Sequence, residues 1–169
     1  PNPTEDLRRL YKNGTIGQAE GLAFIDEQRH IRKVSRKKNL NAVLQSVKEL
    51  NRVADQRGVF IGIENRYHFH EIPDFEEIGI ILKEFEGGRV GYWHDVGHAR
   101  VLENLGILQQ KNLLEAYSDR MIGVHLHDVI GLADHLAPGQ GEIEYGELGP
   151  FLEPAPIKIL EVHPKVARK

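Results

Sequence analysis

Apolar residues in this chain alternate between two rhythms. From Asn39 to Arg57, Leu40, Val43, Leu44, Val47, Leu50 and Val53 recur every three or four positions, which predicts a helix with one buried face ending at Gly58. The next run, Val59-Phe-Ile-Gly-Ile-Glu64, is short and rich in strand formers. Pro73-Asp74 then opens a predicted helix through about Phe85, with Phe75, Ile78, Ile81, Leu82 and Phe85 on its inner side. Gly87-Gly88 turns the chain into a second strand ending at Asp95. Two short helices, about Ala99 to Leu105 and Lys111 to Tyr117, precede the strand Met121 to His125. A long loop from Asp128 to Glu144, a short helix over Tyr145 to Leu152 and a last strand from Ile157 to Glu161 complete the pattern. Upstream, a helix is expected over Pro1 to Lys12 with Thr4 as its N-cap, and a separate one from Gly17 to about Lys38 carrying Leu22, Ile25 and Ile31.

Strand and helix alternating at this spacing mean βαβ units and a parallel sheet. Each strand ends on a residue that can bind a metal: Glu64, Asp95, His125 and Glu161. Parallel α/β proteins place their chemistry at the C-terminal ends of strands. A flat sheet would spread four such ends apart, whereas strands curving around an axis bring them to one point. The expectation is therefore an α/β fold of the TIM-barrel type.

Composition narrows the chemistry. A length of 169 residues with 40% hydrophobic content supports a single domain, with residues 1–57 as a helical N-terminal segment and 58–164 as the βα units. The absence of cysteine leaves nitrogen and oxygen as metal donors. Three carboxylates and one imidazole suit a divalent ion such as manganese, cobalt, magnesium or zinc. A net charge of -3 argues against a sequence-independent grip on nucleic acid. No apolar run is long enough for a membrane span, and no signal peptide is visible, so the expected compartment is the cytoplasm.

Eight of the nine histidines fall between His68 and His163, the part that carries the strand ends. His98 follows Asp95 by three residues and is placed facing the same pocket, or else bonding backbone at a helix N-terminus. In His125-Leu-His127, His125 is read as the inward ligand and His127 as packed behind the barrel wall. Asp134 and His135 lie on a loop that would cover the site and are candidates for a second ion or a substrate hydroxyl. Arg66, on a covering loop with His68 and His70, is a candidate for a substrate anion or a salt bridge. Arg29, Arg32, Lys33, Arg36, Lys37 and Lys38 form a basic cluster, read as a solvated helix face in preference to a phosphate site.

Taken together, Ile63-Glu-Asn65, His94-Asp-Val-Gly-His-Ala99, Gly123-Val-His-Leu-His-Asp128, Asp134-His-Leu-Ala-Pro-Gly-Gln-Gly-Glu-Ile143 and Leu160-Glu161 resemble the xylose-isomerase-like TIM-barrel superfamily. That group includes sugar and sugar-phosphate isomerases and epimerases and endonuclease-IV-type nucleases, and the resemblance covers about residues 40 to 164. It implies that Glu64, Asp95, His125 and Glu161 hold a metal, and that Glu64 and Glu161 also move a proton on a sugar or sugar phosphate through an enediolate. It further implies that His98 steadies a substrate hydroxyl.

The nuclease-like members add ligands at positions matching His98 and His135, with Asp134 a looser match, which leaves a phosphodiesterase acting on abasic DNA as the alternative. The four strands resemble the fourth to seventh of a barrel that needs eight strands and about 250 residues. The chain is therefore expected to be the C-terminal half. Either a missing N-terminal half-barrel or a homo-oligomer would complete it, in preference to the N-terminal helices folding back over an open edge, and an inactive truncated barrel is a further alternative for function.

Overall fold

The computed structural model describes residues 3–163; Pro1 and the boundary drawn at residue 164 lie outside them. Four parallel strands form the central sheet: β1 (Ile61–Glu64), β2 (Val90–Asp95), β3 (Met121–Leu126) and β6 (Lys158–Leu160), in the order β1-β2-β3-β6. Register places Glu64 beside Trp93, Asp95 beside His125, and His125 beside Ile159. The strand ends thus line up along one edge, as their common polarity requires.

The helices α3 (Phe75–Glu84), α4 (Val96–Asn104), α5 (Gln110–Tyr117) and α6 (Tyr145–Leu152) connect and flank these strands. Ile78, Ile81, Leu82, Val101, Leu113 and Leu114 of the helices pack with Val90, Tyr92 and Val124 of the sheet in one core. The start of α3 is set by its sequence. Asp74 accepts the Glu77 N–H while Glu77 reaches back to the Asp74 N–H, a reciprocal capping box.

Three sequence expectations need correction. The first concerns α1 (Thr4–Lys12), where Pro3 occupies the N-cap and Thr4 is the first helical residue, its hydroxyl 3.3 Å from His68 Nδ1. The second concerns the two helices expected over residues 17–57, which are one helix, α2 (Ala19–Arg57), closed by Gly58 in the left-handed region at φ 66°.

The reason lies in the basic cluster. Arg32 and Arg36 continue the inward stripe that runs from Ile25 to Leu40, because they face carboxylates on α3 instead of water. Arg32 bonds Asp74, Glu77 and the carbonyls of Phe69 and Glu71, and Glu77 is fully buried. This part of the cluster is structural, and the solvated-face reading does not hold for it.

The third correction concerns the loop after β3, which contains an antiparallel hairpin, β4 (Asp128–Ile130) and β5 (Ala133–Leu136), turning at Gly131 with φ 61°. The Asp128 carboxylate organises this hairpin and the turn after it by accepting the N–H groups of Val129, Gly139 and Ile143 at 2.8–3.1 Å. Beyond β6, the His163 N–H donates to the His135 carbonyl, tying the hairpin to the end of the last strand. No helix among the described residues is long and apolar enough to cross a membrane.

Candidate metal centre

Asp95 is the pivot of the site. It ends β2, caps α4, and is completely buried. Its Oδ1 accepts the His98 N–H at 2.7 Å and lies 2.9 Å from His127 Nε2. Its Oδ2 has no hydrogen-bond partner. That second oxygen sits 3.4 Å from His125 Nδ1, which is itself 2.9 Å from Glu64 Oε1 and 2.9 Å from Glu161 Oε2.

An imidazole nitrogen carries at most one proton, so it cannot satisfy three carboxylate oxygens at once. Three negative groups drawn together in a partly buried place also repel one another. A divalent cation among them would relieve both problems. Glu64, Asp95, His125 and Glu161 offer one ligand atom each, all within 4.8 Å of one another, and the donor set of one nitrogen and three oxygens fits such an ion.

Electrostatics reflect this crowding. Burial alone would raise the Asp95 pKa, but the surrounding imidazoles of His125, His127 and His98 hold it well below the usual carboxylate range. The Asp95 carboxylate, with Glu161 and Glu64 adding to it and burial opposing, pushes the His125 imidazole up to about 9.

Burial disfavours charge on His127 and Asp95 more than offsets it, drawing that ring's pKa up. The His135 N–H, however, donates to His127 Nδ1 at 2.9 Å and leaves no room there for a second ring proton. The bonded geometry is therefore that of the neutral ring.

Beneath these four side chains lies a buried polar network. Asn65 Oδ1 accepts the Asp95 N–H at 2.8 Å and the Tyr92 hydroxyl at 3.0 Å, while Asn65 Nδ2 donates to the Asp95 carbonyl at 2.9 Å. His94 Nδ1 is 2.7 Å from the Tyr92 oxygen, and burial lowers its pKa to about 4. Trp93 lies 5.1 Å from the His125 ring, and its six-membered ring covers Gly123, where a Cβ would stand 2.2 Å from Cζ3.

The other predicted residues gather at a second position. His98 Nδ1 contacts the Asn65 carbonyl at 3.1 Å, and the ring also stands with Asp134 and His135, so its placement combines both readings, a backbone contact and a position in the pocket. His98, Asp134 and His135 form a second group able to hold a cation, and His127, His135 and Glu161 a third that overlaps both.

Arg66 is engaged in salt bridges, 2.9 Å to Glu71 and 3.9 Å to Glu64, and lines an open cleft of about 630 Å³ that reaches His98, Asp134 and His135. His127 contradicts its assignment behind the wall. It lies just past the end of β3, fully buried, with its Nε2 2.9 Å from Asp95 Oδ1 in the site and not turned away from it. Asn65 and Trp93 were also missed as site residues, although Asn65 directly follows Glu64.

A parallel sheet with flanking helices and a polar cluster at its strand ends defines a segment of a (β/α) barrel with a candidate metal site at those ends. The chain belongs to the xylose isomerase-like TIM barrel family, whose sequence pattern matches residues 20–165. An uncharacterized protein of Methanocaldococcus jannaschii is 30% identical over 134 residues, covering 76% of this chain and 49% of that protein. The chain spans about half the length of this curated relative. No solved structure matches.

Proposed function

We propose that this chain carries the metal-binding half of a divalent-cation-dependent isomerase or epimerase that acts on a sugar or sugar phosphate by proton transfer. The observation that supports this reading is the pair of glutamates on either side of His125 Nδ1, each at 2.9 Å, with the partnerless Asp95 Oδ2 facing the same point. Manganese, cobalt, magnesium or zinc fits the donor set. Such an ion would withdraw charge from adjacent sugar oxygens and acidify the C–H between them.

Glu64 and Glu161 come from opposite edges of the sheet and are each partly exposed, at 26% and 44%. Each has one oxygen beside His125 and one turned elsewhere, toward Arg66 for Glu64 and toward His135 for Glu161. A carboxylate on each face of a substrate is what removal and return of a carbon-bound proton require. His98 would steady a substrate hydroxyl.

Four further strands, from a second copy or from a longer chain, are proposed to close the barrel around this half.

A metal-dependent phosphodiesterase is the second reading, and the His98, Asp134 and His135 group favours it. Metal stoichiometry separates the two: two or three zinc ions per site support the phosphodiesterase, one exchangeable manganese or cobalt the isomerase. In D2O, with a panel of keto sugars and their phosphates and added Mn(II), the chain is expected to place deuterium on a substrate carbon. Glu64→Gln and Glu161→Gln should each abolish that exchange while leaving the circular dichroism spectrum unchanged. Exchange that survives both substitutions would overturn the isomerase reading.

A further inference from the structure

We propose that His127 is a positioning residue that aims Asp95 at the cation and couples it to His135, an inference that rests on the metal-site reading above. The ring is fully buried and bonded on both nitrogens: Nε2 lies 2.9 Å from Asp95 Oδ1, and Nδ1 accepts the His135 N–H at 2.9 Å. Because Nδ1 is an acceptor, the ring proton sits on Nε2 and is donated to Asp95. Together with the His98 N–H, this bond occupies Oδ1 and leaves Oδ2 as the oxygen turned toward His125. A carboxylate fixed in this way presents one oxygen in one direction, which is how outer hydrogen bonds orient metal ligands.

The ring has little room to move. A Cβ at Gly97 would lie 2.0 Å from His127 Cε1, so the first turn of α4 closes directly on the imidazole. On its other side the His135 ring stacks on it, with centroids 4.3 Å apart and planes 9° from parallel. His135 itself adopts φ 59°, a left-handed backbone that a non-glycine residue keeps only when its surroundings enforce it. The bond from its N–H to His127 supplies that enforcement at the same residue whose side chain faces Glu161 and Asp134. His127 thereby joins the ligand group around His125 to the one around His135.

Two substitutions separate the two nitrogens. His127→Asn keeps an acceptor near the Nδ1 position and loses the donor to Asp95; His127→Gln keeps a donor near Nε2 and loses the acceptor for His135. In calorimetric titrations of the whole chain with Mn(II), His127→Asn is expected to weaken binding by about 10- to 100-fold. His127→Gln should bind close to the unaltered chain, yet exchange its His135 amide hydrogen faster. Mn(II) binding unchanged in His127→Asn, or reduced alike in both variants, would overturn the inference.

If neither variant folds, long-range 15N–1H spectra of the unaltered chain decide. A His127 proton on Nε2 supports the assignment and one on Nδ1 overturns it. An unaltered chain that takes up no Mn(II) would instead bring down the metal-site reading itself, while the ring-proton measurement still tests how Asp95 is aimed.

Discussion

Among single residues, His125 carries the sharpest pH consequence. Its folded pKa of about 9 stands above the ordinary 6.5 because Asp95, Glu161 and Glu64 surround it. A histidine whose pKa rises on folding contributes stability that is complete below the unfolded value and lost as pH climbs through the folded one. Free of metal, the chain should therefore lose stability between about pH 6.5 and 9, by on the order of 3 kcal/mol at most. Urea melts in chelator at about pH 6 and about pH 9.5 measure it. With saturating Mn(II) the same comparison should show a smaller loss or none, since the cation takes the place of the proton. A metal-free midpoint that does not fall over this window would contradict the crowding around Nδ1.

At the scale of elements, the hairpin β4–β5 decides where Asp134 and His135 stand. One carboxylate, Asp128, accepts three backbone N–H groups in and just beyond it. Asp128→Ala leaves those donors in need of partners and is expected to cost about 1–3 kcal/mol. Faster amide hydrogen exchange at Val129, Gly139 and Ile143 than in the unaltered chain would be its local signature. No change at those three amides would remove Asp128 from this role.

What could be read from the sequence was uneven at this scale. Strand ends were legible because apolar runs stop at Glu64, Asp95, His125 and, one residue past β6, Glu161, an abrupt contrast between core and chemistry. The hairpin was not, because three- and four-residue strands leave too few positions to establish a period of two. The unbroken α2 was hidden for a different reason. Arg32 and Arg36 are charged, so they read as an outer face until the carboxylates on α3 are seen opposite them. Asn65 and His127 illustrate a related difficulty, since the hydrogen-bond partners that give a buried polar residue its role are distant in sequence.

Viewed as a whole molecule, the sheet has two outer strands, β1 and β6, with no strand beyond them among the described residues. Apolar side chains stand uncovered beside both: Val59 and Phe60 just before β1, and Ile157, Ile159 and Leu160 at β6. Strand edges of this kind pair with other strands where they can. Produced alone, the 169-residue chain is expected to self-associate, and sedimentation should give a mass above 19.2 kDa. A stable monomer at that mass would oppose pairing between copies.

The two outermost strands also carry the two outermost candidate ligands. Glu64 terminates β1, and Glu161 comes directly after β6, with β2 and β3 between them. A strand docking along either rim would therefore lie next to one of the two outermost candidate ligands. Closure of the sheet at its rims would therefore take place beside the same two glutamates that the proposed cation site draws on.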